Sequence, residues 1–188
     1  MHPLVTDSSS RADDASCIAA SLDDPDRFGE LYDRHAPAVF RYVRSRLGPD
    51  ADDAVGDTFI AAFRARANFD ASVGRSALPW LLGIATNVAA KRRELERRWL
   101  RPAPAGELSE PDGAEDTDAR LDAERISPWL RDGLAALRRR DRDALVLHVV
   151  GGLSVEDVAR ALDTAPGTIK SRLHRARRVL AANLEVHR

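Results

Sequence analysis

The sequence predicts an all-α protein made of two small helical domains joined by an acidic, flexible linker. Three observations lead to this fold class. Apolar residues recur at the spacing of amphipathic helices along most of the chain, and no run alternates as a strand would. Pairs of glycine and proline interrupt these patterns at intervals. One segment between the patterns holds three prolines and an excess of acidic residues.

The composition limits the classes of protein that the chain can belong to. Its 188 residues are 44% apolar and 31% charged, which is enough for packed cores in one or two small domains. The formal net charge is −1, so only the distribution of charge can indicate a nucleic-acid partner. Cys17 is the only cysteine, which excludes an intramolecular disulfide and a cysteine-based zinc site. Because the sequence has no secretory signal pattern and no apolar run of membrane-spanning length, we expect a cytoplasmic protein without membrane insertion.

Two segments lack the apolar periodicity of the helices. Residues 1–24 are rich in Ser, Asp and Ala and predict a disordered N-terminal tail. Residues 102–125 carry eight acidic residues against two arginines and predict the linker. The two domains are therefore predicted over residues 25–101 and 126–188.

The first domain is predicted to contain three helices. The first begins at Phe28 and ends at the Gly48-Pro49 stop signal. The second begins near residue 50, where acidic residues suit the positive end of the helix dipole. The third begins near Ser76, whose side chain can cap it.

The second domain is predicted to contain four short helices, of which the last two form a helix-turn-helix. Asp141 is expected to cap the second of these helices and Ser154 the third. The tight turn "DTAP" at 163–166 joins the third helix to the fourth, and Asp163 can adopt the left-handed conformation such a turn requires.

The last helix has an apolar face and a basic face. Ile169, Leu173, Ala176 and Leu180 lie at i, i+4, i+7 and i+11 and form the apolar stripe. The other side carries Lys170, Ser171, His174, Arg175 and Arg178. These side chains can contact phosphates and base edges, and the second helix of a helix-turn-helix enters the DNA major groove. The pattern therefore predicts that this face contacts DNA.

No motif for catalysis or for a bound cofactor occurs in the sequence. There is no glycine-rich phosphate loop, no paired-histidine metal motif and no nucleophile elbow. We therefore expect a protein that is not an enzyme and that has no catalytic residue, no metal and no cofactor.

Four segments resemble, in order, the motifs of the extracytoplasmic-function group of bacterial sigma factors, which are promoter-recognition subunits of RNA polymerase. They are "FGELYDRHAPAVFRYVRSRLG", "ADDAVGDTFIAAFR", "LPWLLGIATNVAAKRRELER" and "PGTIKSRLHRAR". The resemblance covers about residues 25–185. It implies that 25–101 is a sigma region 2 domain and 126–188 a sigma region 4 domain. It also implies that the protein binds core RNA polymerase, directs promoter-specific initiation and aids promoter melting.

The resemblance assigns functional residues to each domain. It implies that docking on the β′ clamp helices of core polymerase is performed by Asp52, Asp53 and Asp57. It implies that the promoter −10 element is recognised by Asn68, Asp70, Ser72, Arg75, Asn87 and Arg92. The second domain is expected to contact the β flap and to recognise the −35 element through Thr168, Lys170, Ser171, His174, Arg175 and Arg178. Core polymerase and promoter DNA are thus the expected partners, and an anti-sigma factor is left open as a third.

The sequence leaves alternatives at several points. A transcription regulator that binds DNA independently of core polymerase could carry the same helix-turn-helix. The basic run at 91–98 could follow DNA phosphates or form a solvated helix end. The acidic linker could thread the channels of the polymerase or act as a simple tether.

Overall fold

The computed structural model describes residues 8–72, 76–100 and 128–186. These three ranges contain helices and turns and no strand, which confirms the predicted all-α class. The α-helices are α1 Ser8–Asp23, α2 Phe28–Leu47, α3 Ala51–Ala65, α4 Leu78–Leu100, α5 Pro128–Ala135, α6 Arg139–Val149, α7 Val155–Ala161 and α8 Pro166–Val186. The predicted linker at 102–125 lies outside the described residues. None of the described helices is long and apolar enough to cross a membrane.

The prediction of a disordered tail over residues 1–24 is wrong from Ser8 onward, because α1 is a helix that packs against α2. Its buried side chains are Asp14, Cys17, Ile18 and Ser21, at i, i+3, i+4 and i+7. This is the spacing of an amphipathic helix, but only Ile18 is a large apolar residue. A helix whose buried face is mostly polar or small gives no hydrophobic stripe, so the sequence pattern resembled that of a tail.

The first domain packs α2, α3 and α4 around a common core, as predicted. Helix α2 ends at the predicted stop, where Gly48 takes a positive φ of 63° at the C-cap. Tyr42 is fully buried, and its hydroxyl lies 2.7 Å from the hydroxyl of Thr86 on α4. Thr86 donates its own proton to the carbonyl of Leu82, so Tyr42 is the donor in this pair. The bond joins α2 to α4, and burial raises the pKa of Tyr42 and keeps it protonated.

The second domain packs α8 against α5, α6 and α7. Ile169, Leu173 and Ala176 are buried and Leu180 is half-buried against them, which confirms the predicted apolar stripe. Ser154 caps α7, as predicted, by accepting a hydrogen bond from the backbone N–H of Asp157 at 3.0 Å. Asp163 adopts the predicted left-handed conformation in the turn, with φ 46°.

The predicted capping role of Asp141 is wrong. Helix α6 begins at Arg139, and its N-cap residue Arg138 makes no side-chain capping bond. Asp141 lies inside the first turn and is buried. An acidic residue favours the first turn for the same electrostatic reason that it favours the cap, so the sequence could not separate the two positions.

The two domains pack against each other along α4 and α7, a contact that the sequence did not predict. A methyl group placed on Gly83 of α4 would lie 2.5 Å from the carbonyl oxygen of Ala161, so only glycine permits this approach. At one edge of the contact, the buried side chains of Arg46 on α2 and Asp143 on α6 form an ion pair of 2.5 Å. We name this contact between α4 and α7, with the Arg46–Asp143 pair, the domain seam.

The close approach at Gly83 generates a prediction with a matched control. Gly83→Ala gains helix propensity, but its methyl group collides with Ala161, so we expect a lower melting temperature and faster amide exchange in α7. Gly56→Ala, in the middle of α3 with no atom within 4 Å of the added methyl group, should instead stabilise the fold by about 1 kcal/mol. Thermal unfolding and hydrogen exchange of both variants measure the difference. Equal stabilisation by the two changes would show that the domain seam does not form in solution.

Candidate nucleic-acid interface

The basic face predicted on the last helix is present on α8. All six residues assigned to the −35 element are exposed, on the side of the helix away from the buried apolar stripe: Thr168, Lys170, Ser171, His174, Arg175 and Arg178. The turn before α8 is closed by backbone bonds alone at Ala165, whose carbonyl accepts from the N–H groups of Thr168 and Ile169. The structure therefore brings the predicted −35 residues together on one solvent-facing surface.

Arg175 differs from the rest of this face because its guanidinium is bound within the protein. Its Nε and Nη2 donate to the two carboxylate oxygens of Asp141 at 3.2 and 3.0 Å. The Arg175 side chain is 51% exposed and the Asp141 side chain only 7%. The hydrogen bonds to Asp141 raise the pKa of Arg175, which keeps its guanidinium charged. Arg175 thus joins α8 to α6, a role that the sequence did not reveal because the two residues are far apart along the chain.

The described residues assigned to the −10 element lie in the loop between α3 and α4 and along α4 itself. Asn68 ends the 3₁₀ turn Arg66–Asn68, and it is exposed. Asp70 follows, and its Oδ1 accepts from the backbone N–H and the hydroxyl of Ser72 at 2.9 and 2.6 Å, which forms a local turn. Asn87 is exposed on α4. Arg75 lies outside the described residues, so its placement stays a prediction.

The described parts of the loop between α3 and α4, residues 66–72 and 76–77, are named here the capture loop. At its start, the ring of Phe69 packs edge-on against Trp80 of α4, with 5.3 Å between the ring centroids. Arg66 donates from Nε to the carbonyl of Ser21 on α1 at 3.3 Å. At the other end, the carboxylate of Asp14 on α1 accepts from the backbone N–H of Ala77 at 2.8 Å. The capture loop is therefore held at both ends.

Asp14 forms the most connected buried polar group at this site. Besides the N–H of Ala77, it binds Arg34 through Oδ1 and lies 2.8 Å from His35 Nε2. Burial raises the pKa of this carboxyl, but the hydrogen bonds from His35, Ala77 and Arg34 outweigh that effect and leave the pKa below its ordinary value. Asp14 is thus held as a carboxylate. Asp14 is not among the predicted site residues, because the sequence pattern of residues 1–24 predicts a tail.

The predicted docking residues Asp52, Asp53 and Asp57 are all exposed on α3. Arg92 of α4, which was predicted to contact DNA, donates from Nη2 to Asp57 at 2.5 Å and lies 4.0 Å from Asp53. The structure therefore brings one predicted DNA residue and two predicted docking residues into a single cluster. Ile60, one turn further along the same face, is an apolar side chain with 52% exposure. Acidic and apolar groups together make this face of α3 suitable for a protein partner.

The basic run at 91–98 does not form one continuous surface. Arg93 is buried and donates to the carbonyl of Arg46. Arg97 and Arg98 both pair with Glu94, at 2.6 and 3.1 Å. Lys91 is exposed. If this run follows DNA phosphates, Arg93 therefore does not take part in the contact.

The sequence of this chain is similar to those of known proteins. The family model described as sigma-70 region 2 matches residues 31–99, and the one described as sigma-70 region 4 matches residues 128–180. The RNA polymerase sigma factor NccH of Alcaligenes xylosoxydans xylosoxydans is 34% identical, over 92% of this chain and 95% of NccH. The ECF RNA polymerase sigma factor BldN of Streptomyces coelicolor is 32% identical, over 86% of this chain and 62% of BldN.

A solved structure of CnrH in complex with the cytosolic domain of CnrY resembles the fold with a TM-score of 0.65 and 29% identity. The match covers 92% of this chain and 97% of CnrH. Two helical domains in the described residues, the second with a helix-turn-helix, define a two-domain, DNA-associated transcription protein. The chain belongs to the sigma-70 family, in its extracytoplasmic-function (ECF) group.

The bond between Arg175 and Asp141 generates a prediction on stability. Arg175→Ala leaves the buried carboxylate of Asp141 without its guanidinium partner, so we expect a lower melting temperature for the full chain. The control is Lys170→Ala, which removes an exposed cation from the same face and should leave the melting temperature unchanged. Thermal unfolding by circular dichroism measures both. If both variants melt with the wild type, the pair with Asp141 contributes nothing to the fold.

Proposed function

We propose that this protein binds core RNA polymerase, directs it to promoters through their −10 and −35 elements and aids promoter melting. The observation that carries the proposal is that one chain contains both sigma regions, in order, each with an exposed face suited to its partner. The alternative, a regulator that acts without polymerase, would have no use for a region 2 domain. The proposed activity is binding and recognition, without a catalytic step, a metal or a cofactor.

The second domain is proposed to bind the −35 element through α8. Lys170, Ser171 and His174 project from the half of the helix nearer its N-terminus, which is the part of a recognition helix that meets base edges. Arg178 lies one turn beyond His174 and suits a phosphate contact. Arg175 is proposed to act from its bond with Asp141, so that it orients the helix and offers its exposed edge to the DNA.

The first domain is proposed to perform two tasks on different surfaces. The exposed face of α3, with Asp52, Asp53, Asp57 and Ile60, would dock on the β′ clamp helices of core polymerase. Acidic groups there would guide a basic partner into register. The capture loop and Asn87 would bind unpaired bases of the −10 element, a task that needs polar edge contacts beside a cavity for the base.

An anti-sigma factor is a further proposed partner. CnrH was solved in complex with the cytosolic domain of CnrY, and this chain matches nearly the whole of that CnrH chain. By analogy, we propose that a protein of the CnrY kind binds this chain. We propose the cytoplasm as the place of action, because core polymerase and promoter DNA are there.

Run-off transcription tests the proposed function directly. Purified protein added to core RNA polymerase should start discrete transcripts on fragments of the source genome, and core enzyme alone should not. A variant with Asp52→Lys and Asp53→Lys should lose these transcripts and bind core polymerase more weakly, because it places positive charge on the docking face. The variant should still fold, with a modestly lower melting temperature, because both side chains are exposed but lie in the first turn of α3, where lysine opposes the helix dipole. If wild-type protein starts no specific transcript, the proposal is wrong.

A second experiment separates base contacts from phosphate contacts on α8. Lys170→Ala should cost about 1–3 kcal/mol of discrimination at one base pair of the −35 element. Arg178→Ala should weaken binding to all −35 variants by the same factor and flatten the salt dependence. Holoenzyme binding to a set of single-substitution promoters, at several salt concentrations, measures both effects. A uniform loss for Lys170→Ala would assign that side chain to the phosphates.

A further inference from the structure

Helix α1 contacts the capture loop at both of its ends. The carbonyl of Ser21 accepts from Arg66 Nε at the start of the loop, and the carboxylate of Asp14 accepts from the N–H of Ala77 at its end. The hydroxyl of Ser76 also lies 3.5 Å from Asp14 Oδ2. Asp14 and Ser21 are two turns apart on the same face of α1, and both are buried. One rigid helix therefore sets the distance between the two ends of the loop.

Asp14 suits this task through its charge as well as its position. The groups that face its carboxylate are the guanidinium of Arg34, the imidazole of His35, the backbone N–H of Ala77 and the hydroxyl of Ser76. Arg34 and the Ala77 N–H can only donate, so a carboxylate can satisfy all of these groups. An amide in its place would direct its own N–H₂ group at one of the donors. The end of the capture loop thus depends on a carboxylate at this position.

Loop geometry of this kind bears on base recognition. Side chains that bind a flipped base must be held near their productive positions, and a loop that is ordered beforehand loses less entropy when it binds. Asn68, Asp70 and Ser72 lie in the capture loop, and Asp14 touches none of them in the contacts above. The contacts of Asp14 with this loop are at Ser76 and Ala77, so the route we consider for its influence on base recognition is through the end of the loop.

We propose that Asp14 is a positioning residue for discrimination among −10 bases. It acts by holding Ala77 and Ser76, and with Ser21 it makes α1 a brace for the capture loop. The partner is single-stranded DNA of the −10 element. The proposal rests on the proposed binding of the −10 element by this loop. It adds α1 to the parts of the protein that determine specificity, although α1 is not proposed to touch the DNA.

The test uses full-length protein assembled with core polymerase. The probes are single-stranded oligodeoxynucleotides that carry the −10 sequence of a promoter found by run-off transcription, together with all single-base variants of that sequence. Asp14→Asn should reduce the preference for the correct base by about tenfold at one or more positions, within the range that a single base contact contributes. Affinity for core polymerase and for a duplex −35 probe should not change. Asp23→Asn, the same change at an exposed position of α1, should leave every value at the wild-type level.

A second variant tests the brace from its other end and covers a folding failure of Asp14→Asn. Arg66→Gln removes the guanidinium that binds Ser21 but keeps Asp14 and a half-buried side chain. It should also relax base preference, and amide exchange in a peptide that contains Ala77 should be faster in Asp14→Asn. Wild-type base preference in both variants would overturn the inference, as would wild-type preference in Arg66→Gln if Asp14→Asn does not fold. If the wild-type holoenzyme itself shows no base preference, the proposed function fails, and the inference fails with it.

Discussion

Helix α4 is the element on which both domains depend, and the requirement that it be buried on two sides explains much of its sequence. One side packs against α2 and α3, and another receives α7. Its buried positions include the small residues Gly83, Ala85, Thr86 and Ala89. Small side chains let neighbouring backbones approach closely, and at Gly83 even one methyl group would be too large. The start of the helix is set by Asp14 through Ala77, so the helix that forms the domain seam also carries the end of the capture loop.

Helices with an apolar stripe could be predicted from the sequence, whereas α1, which has no such stripe, could not. The patterns of α2, α3 and α8 contain enough large apolar residues to indicate a buried face, and Gly48 and Asp163 marked where the chain turns. Helix α1 was missed because its buried face consists mainly of polar and small groups, from Asp14 to Ser21. The domain seam was missed for another reason. Periodicity shows that a helix has a buried face, but it does not show which element covers that face.

Within the candidate site, the types of residue could be predicted but their pairings could not. The exposed face of α8 carries the side chains expected of it. Arg175 with Asp141, and Arg92 with Asp57, are pairs between helices distant in sequence, and they appear only when the helices are packed. The structure also separates buried arginines from exposed ones. Arg46, Arg93 and Arg142 are buried and bind carbonyl or carboxylate oxygens inside the fold. A count of basic residues would therefore overestimate the charge that the protein can present to DNA phosphates.

The reactivity of Cys17 can report on the separation of α1 from α2. The only thiol in the sequence is buried on α1, and it donates a hydrogen bond to the carbonyl of Arg27 at 3.0 Å. A thiol in this setting reacts with a soluble alkylating reagent only when α1 leaves α2, since the thiolate must form and be reached. The rate at which the Cys17 thiol is alkylated therefore reports how often α1 separates from α2. No label has to be introduced, and no other side chain contributes to the signal.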